Sequence, residues 1–281
     1  MSLAAVDRGV YERQAANLMK TSAQTTPAYL SFRDISKVFQ LGGRRQGQSI
    51  AVLEDVSIDV APREVVAVVG PSGCGKSTLL TLGAGLDRPT AGRIAIGGVP
   101  VDGPHAEVAF MLQKDLLLPW RTISANVEFG LEIKGMAREE RRQRSHTLLE
   151  QFGLNGFSEA YPHQLSGGMR QRAALARTMA LEPRILLLDE PFSALDAQTK
   201  IRLHGELATT IRQTAMTAVI ITHDLTEAVV LADRIYVMSP RPGRIIKEIK
   251  VNLAPDDAVE RYFDPTTADY VKEMWSLLSG A

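Results

Sequence analysis

The chain has 281 residues, 45% of them apolar and 23% charged, with 32 basic and 32 acidic side chains. That mix is ordinary for a globular protein and leaves room for one large domain or two small ones. A zero formal net charge excludes a nucleic-acid binder working through a broad basic surface, and the single cysteine, Cys74, excludes an intrachain disulfide framework and fits a reducing compartment.

Residues 1–28 carry Ala, Gln, Thr and Ser with scattered charges. Only a weak helical period runs through Val6, Val10 and Leu18, so a mostly disordered extension is expected there. From Tyr29 the pattern turns to strands, over 30–38, 51–60 and the run Val65–Val69. The last is continuously apolar, as a strand covered on both faces should be. A polar, glycine-rich turn is expected over 42–48, and Ile94–Val101 reads as a hairpin closed by Gly97-Gly98. After a strand at Val108–Leu112, the stretch from about 122 to 181 reads as helical. Glu140 and Arg144 stand at i,i+4 spacing, and Gly153 marks a helix end. Buried strands return at Ile185–Asp189, Ala218–Thr222 and Arg234–Met238, and the tail closes on an amphipathic helix with Tyr270, Val271, Met274, Trp275 and Leu278 on one side. Strand–helix alternation around a helical insert predicts an α/β fold: a mixed-sheet core with a phosphate-binding loop, an antiparallel β subdomain and an inserted helical subdomain. No run approaches the ~18–20 apolar residues of a spanning helix, and the start lacks a secretory signal's apolar core, so any membrane attachment is expected through a partner.

Two glycine-rich segments carry the chemistry. Gly70-Pro71-Ser72-Gly73-Cys74-Gly75-Lys76-Ser77-Thr78 fits the phosphate-cradling pattern GxxxxGK[ST] at every fixed position, between a strand and a helix. Its glycines leave backbone N–H groups free to approach phosphate oxygens, and the helix that follows presents its positive end to the same anion. Lys76 would reach the β- and γ-phosphates, Ser77 would ligate Mg²⁺ and Thr78 would bond near the α-phosphate. Cys74, with no base beside it, reads as a small side chain filling the loop. Farther on, Leu186-Leu187-Leu188-Asp189-Glu190 sets two carboxylates at the tip of a buried strand, where open α/β sheets bind ligands. Asp189 would orient Mg²⁺ and Glu190 would polarise the attacking water as general base. Phe39 is the aromatic placed to stack on adenine, with core packing as its competing role. His105, His146, His163 and His204 show no metal-like spacing and read as surface residues.

With Leu165-Ser166-Gly167-Gly168-Met169-Arg170-Gln171-Arg172 added, the chain resembles the ATP-binding cassette (ABC) family over about 30–250. The resemblance implies an ABC ATPase domain over 29–253, its helical subdomain at about 114–181, and a helical tail over 254–281. It implies ATP and Mg²⁺ as ligands, with Gln113 sensing Mg²⁺ or water and His223 positioned at the γ-phosphate. Ser166, Gly167 and Gly168 would meet the ATP held by a second copy in a head-to-tail dimer, with Asp196 in the dimer-contact loop.

The segments Leu116–Val127 and Ser239–Ile245 look like those of bacterial importers of the nitrate, sulfonate, taurine and bicarbonate group. That resemblance implies a peripheral subunit on the cytoplasmic face of the plasma membrane. A separate permease would dock near Gln113–Asn126, and an extracytoplasmic binding protein would deliver the solute. An exporter ATPase and a soluble ABC protein of translation or DNA repair are the rivals. The Pro240-Arg241-Pro242-Gly243 segment weighs against the first, and the lack of a second cassette or coiled-coil insertion against the second. A P-loop kinase would leave the Leu-Ser-Gly-Gly segment without purpose. Arg63 departs from the family, which usually has Gly there.

Overall fold

The computed structural model describes residues 28–40, 47–253 and 257–280. The expected disordered extension and most of the expected turn at 42–48 lie outside them.

Among the described residues, ten strands form two sheets. Strands β1 (Leu30–Gln40), β2 (Ser49–Val60), β4 (Ala91–Ile96) and β5 (Val99–Pro100) make an antiparallel sheet in the order β2-β1-β4-β5. Strands β4 and β5 form the expected hairpin, with Ile96 opposite Val99. Strands β3 (Val65–Val69), β6 (Val108–Met111), β7 (Ile185–Asp189), β8 (Thr217–Ile221), β9 (Arg234–Met238) and β10 (Ile245–Lys250) form the second sheet, in the order β10-β9-β3-β8-β7-β6. Its pairs are parallel apart from β10, which runs antiparallel to β9.

The continuously apolar runs have a direct explanation, because alternate side chains enter two different cores. Val65, Ala67, Val69, Leu186, Leu188, Ala218 and Ile220 pack with the helices on one face. Val66, Val68, Ile185, Leu187, Val219 and Ile221 pack on the other face against the antiparallel sheet and helix α1 (Lys76–Gly83). A strand with both faces covered has no solvent side to place polar residues on.

Between β6 and β7 lie α2 (Ile123–Ile133), α3 (Arg138–Gln151) and α4 (Gly167–Met179), with a 3₁₀ turn at Pro162–Gln164. Helices α5 (Ala197–Gln213) and α6 (Leu225–Leu231) connect the later strands, and α7 (Ala258–Phe263) and α8 (Pro265–Ser279) follow β10. Gly153, at φ 65, ends the turn after α3 as expected. Thr122, Ser166, Asp196 and Asp224 cap α2, α4, α5 and α6 through side-chain oxygens, each cap contributing about 1 kcal/mol.

Three expectations need correction. His204 is not a surface residue: it is fully buried, enclosed by Phe192, Tyr262 and Glu227. Arg144 pairs with Glu182 rather than with Glu140, because α3 packs its inner side toward the end of α4. Trp275 is 67% exposed while Met274 is buried. Helix α8 meets the core along a narrow edge through Thr267, Val271, Met274 and Leu278, and Trp275 stands about 100° round the helix from Met274.

Candidate functional site

The register of the parallel sheet assembles the site. Met111 pairs with Leu188 and Asp189 with Ile221, so β6, β7 and β8 end side by side, and the residues just past them meet. Gln113 donates from Nε2 to Oε2 of Glu190 at 3.0 Å, and His223 Nδ1 lies 3.3 Å from the same oxygen. Glu190 itself adopts φ 50, a conformation that a side chain with a Cβ holds only at a cost of roughly 1 kcal/mol or more. Its N–H bonds Ile221 O at 2.8 Å, which continues the β7–β8 ladder and turns the carboxylate toward Gln113 and His223.

Glu190 is clamped from a second direction. Gln171 on α4, 5% exposed, donates to Glu190 O at 2.9 Å and to Ser193 Oγ at 3.2 Å, and accepts from Ala194 N at 2.9 Å. One amide therefore ties the helix of the Ser166-Gly167-Gly168 segment to the loop after the carboxylate strand. At the start of that helix Ser166 accepts from Met169 N at 3.3 Å. A Cβ on Gly168 would come within 2.8 Å of Leu195 Cδ2, so the segment packs directly on the loop leading to Asp196. Asp196 caps α5, accepting from Thr199 N at 3.0 Å. The Thr199 hydrogen bonds, the backbone one foremost, hold its carboxyl below the usual range.

The phosphate-loop segment leaves β3 and ends at Gly75, the N-cap of α1. Gly75 has φ 110, and a Cβ there would fall 2.6 Å from Leu53 Cδ2, so both the backbone and the neighbours require glycine. Lys76 is 6% exposed. Its ammonium folds back across the loop, donating to Gly70 O at 2.8 Å and Pro71 O at 2.9 Å. Cys74 is buried, in keeping with a filling role, and Ser72, Gly73, Ser77 and Thr78 remain at least partly open to solvent.

Asp189 is buried at the tip of β7, and its Oδ1 has no hydrogen-bond partner. Desolvation raises its carboxyl pKa, against a hydrogen bond from the Ser77 hydroxyl and the field of Lys76. A buried carboxylate oxygen without a partner, next to a hydroxyl, fits a hard divalent cation. Among the described residues no group of three or more His, Cys, Asp and Glu could cage a metal. The donor set is therefore partial, as suits a cation that takes its remaining ligands from phosphate and water. Phe39, near the end of β1, presents a 39% exposed ring with Lys37 Nζ 4.8 Å from its centroid.

Sequence reasoning missed three residues. Gln171 left a weak trace: it lies five residues past Ser166 on the inner side of an otherwise apolar helix face. Asn126 is fully buried between Ile123 and Val127, and its four hydrogen bonds to 118–122 leave no mark in the sequence beyond a polar residue in an apolar stripe. A Cβ on Gly243 would come within 2.2 Å of Cys74 O, so the Pro240-Arg241-Pro242-Gly243 segment packs against the phosphate loop. Gly243 also exchanges hydrogen bonds with β2, from Glu54 N at 3.0 Å and to Val52 O at 2.9 Å.

Comparison with known families now decides the broader question. The family model described as ABC transporter matches residues 53–193. The chain belongs to the ABC transporter family. Among its relatives, the nitrate import ATP-binding protein NrtD of Synechocystis sp. is 43% identical over 258 residues, spanning 90% of this chain and 96% of the relative. The taurine import ATP-binding protein TauB of Yersinia pestis bv. Antiqua is 47% identical over 205 residues, or 73% of this chain and 80% of TauB. Among solved structures, a dimer of the ATP-binding cassette MJ0796 in a post-hydrolysis state with ADP and Pi superposes with TM-score 0.73 at 31% identity, covering 80% of this chain and 99% of that one. As an ABC protein the chain is an ATPase coupled to transport, and its likeness to the nitrate and taurine import group extends from the sequence segments to whole relatives. Among the described residues no helix is long and apolar enough to cross a membrane.

Proposed function

We propose that this chain is the ATP-hydrolysing subunit of a bacterial importer for a small anion or sulfonate-type solute, acting as a head-to-tail homodimer around two ATPs. The observation that carries the reading is the meeting of Gln113 and His223 on one carboxylate oxygen of Glu190, beside the phosphate loop. The names of the relatives support import as the direction, and the dimeric cassette MJ0796 supports the assembly.

The residues of this chain divide the work. Gly70 to Thr78 cradle the phosphates, with Lys76 leaving its loop carbonyls for the β- and γ-phosphates, and Phe39 stacks on adenine. Ser77, Asp189 and Gln113 would hold Mg²⁺, which when bound neutralises charge developing between the β- and γ-phosphates. Glu190 accepts the proton of the attacking water, while Gln113 and His223 keep that carboxylate and the water in line. The water oxygen bonds to the γ-phosphorus as the bond to the bridging oxygen breaks, releasing ADP and phosphate. Ser166, Gly167, Gly168 and Asp196 serve the partner copy's ATP, and dry closure of the two copies strengthens every electrostatic contact on the transferring group.

In this reading residues 29–253 are the nucleotide domain, 114–181 its helical subdomain and 254–281 a helical tail. The permease docks on the face around Gln113–Asn126, where Trp120 is 72% exposed. The dimer sits at the cytoplasmic face of the plasma membrane, and an extracytoplasmic binding protein supplies the solute. Affinity purification of the tagged chain from gently solubilised native membranes, with mass spectrometry of its companions, tests the importer assignment. Recovery of a polytopic permease is expected, and recovery of soluble or ribosomal partners alone would overturn it. For the site, Glu190→Gln should abolish turnover while ATP still binds, and Ser166→Arg should spare ATP binding by the monomer yet stop hydrolysis.

A further inference from the structure

Behind the catalytic edge, the fully buried ring of His204 on α5 touches three segments that are distant in sequence. The Tyr262 hydroxyl, from α7, lies 2.6 Å from its Nδ1, and the two rings stack with centroids 5.7 Å apart and planes 7° from parallel. Phe192 meets the imidazole edge-on, with centroids 4.5 Å apart. On the far side, Nε2 lies 3.5 Å from Oε2 of Glu227, in the first turn of α6. Phe192 directly follows the Glu190-Pro191 pair, and Glu227 belongs to the helix that begins just after His223.

Filling this space needs no histidine, since a leucine would occupy it without requiring polar partners in a dry core. What the imidazole adds is a flat, rigid body with a nitrogen at each end. With the Tyr262 hydroxyl donating to Nδ1, the ring proton sits on Nε2 and faces the Glu227 carboxylate. Neither Nε2 of His204 nor Oε1 of Glu227 has a hydrogen-bond partner among the described residues, so the N–H dipole of the ring faces the carboxylate across 3.5 Å without a formed hydrogen bond, in a low-dielectric setting where a small displacement changes the energy appreciably. Burial, reinforced by Asp224 and Glu227, raises the Tyr262 phenol pKa and keeps that hydroxyl a donor. The tail anchors the tyrosine in turn. Thr267 Oγ1 at the start of α8 donates to Arg261 O at 2.6 Å, and the outer side of Tyr262 borders a groove with Thr226, Val271 and Trp275.

We propose that His204 is a positioning residue: through Tyr262 it fastens the C-terminal helices to the two loops that carry Glu190 and His223, so that the tail governs the rate of hydrolysis and not the affinity for ATP. This rests on the catalytic reading of Glu190 and His223 given above. Loosening the tail releases Phe192 and the first turn of α6 together, and the carboxylate–imidazole pair at the sheet edge loses its spacing.

The test is steady-state ATP hydrolysis by the full chain and by Tyr262→Phe, His204→Leu, the double variant and His204→Gln, with Glu190→Gln as reference. Thermal melts and binding of a fluorescent ATP analogue are recorded for each. Tyr262→Phe removes a single oxygen, so it decides the matter even where His204→Leu fails to fold. It should lower kcat by roughly 3- to 10-fold, the loss of one hydrogen bond's differential contribution, with KM for ATP and analogue affinity unchanged. The double variant should be no slower than His204→Leu, and His204→Gln, whose amide reaches both neighbours, should recover part of the rate. A wild-type kcat for Tyr262→Phe beside an inactive Glu190→Gln would overturn this inference alone. Equal losses of kcat and ATP affinity, or multiplicative effects in the double variant, would also overturn it. Retained turnover in Glu190→Gln would overturn both the inference and the catalytic reading beneath it.

Discussion

Replacing Asn126 should show how much a single buried amide holds in place. Its Oδ1 accepts from Leu118 N at 2.7 Å, while Nδ2 faces the carbonyls of Leu118, Arg121 and Thr122 at 3.1, 3.2 and 2.9 Å. Two of these groups have other support: Leu118 O also accepts from Arg121 N at 3.1 Å, and Thr122 O from the backbone N of residue 126 at 2.9 Å. Asn126→Ala therefore strands chiefly the Leu118 N–H and the Arg121 carbonyl. At about 1–1.5 kcal/mol for each stranded group, plus the small cavity left by the amide, the loss comes to about 2–4 kcal/mol. Asn126→Asp keeps the acceptor for Leu118 N but turns a buried carboxylate toward three carbonyls, so it should destabilise more than alanine does. Urea denaturation followed by far-UV circular dichroism measures both, as a lowered midpoint at constant slope. A loss under about 0.5 kcal/mol for Asn126→Ala, or an aspartate variant as stable as the alanine one, would refute the accounting. The segment from Leu118 to Arg121 includes the exposed Trp120, so permease-coupled transport should fall further than the stability loss alone accounts for.

Glu190→Gly should end hydrolysis yet raise stability by roughly 1 kcal/mol over Glu190→Ala, because only glycine takes φ 50 without strain; equal denaturation midpoints would refute it. Phe39→Ala should weaken ATP and GTP alike, by about fivefold or more in Kd, since stacking is tolerant of base identity, and equilibrium binding of both nucleotides checks this. Gly243→Ala pushes a methyl toward Cys74 O and should reduce ATP affinity through the phosphate loop, with calorimetric titration as the readout. Burial raises the Asp189 carboxyl pKa, so the folded chain keeps that proton above pH ~4, where the unfolded chain has released it. Stability contributed by this group therefore falls as pH rises above the ordinary carboxylate range, and Asp189→Asn should flatten that slope in denaturation series; parallel curves for the two proteins would refute the assignment.

What could be read in advance follows from how local each signal is. The phosphate loop is nine contiguous residues whose chemistry and conformation are set by their own glycines. The buried strands announce themselves because both faces meet apolar cores. Gln113, Glu190 and His223 could be placed at strand ends one by one, but that they share a single oxygen depends on parallel register across three strands. His204 was misread because a lone histidine on a helix carries no sign of what faces it; its neighbours Tyr262 and Glu227 arrive from two other helices. Strand β10, Ile-Ile-Lys-Glu-Ile-Lys, escaped notice because only Ile249 of its residues is buried and a bulge after Ile245 sets Lys247 and Glu248 side by side, so no alternation marks it. Trp275 was misplaced because an apolar residue one step off a narrow buried edge looks, in sequence, like part of it.

The amide of Gln171 has one more implication. In the proposed head-to-tail pair, the Ser166–Gly168 end of α4 would face the nucleotide bound by the partner, whereas Glu190 would serve the nucleotide bound by its own chain. Gln171 joins these two within about one helical turn and two short hydrogen bonds. On that proposal each protomer would be a lever with one arm in each reaction chamber, and loss of γ-phosphate contacts at one chamber would be felt at Glu190 in the other. Such a pair would turn over cooperatively, with a Hill coefficient above one that Gln171→Leu brings down to unity.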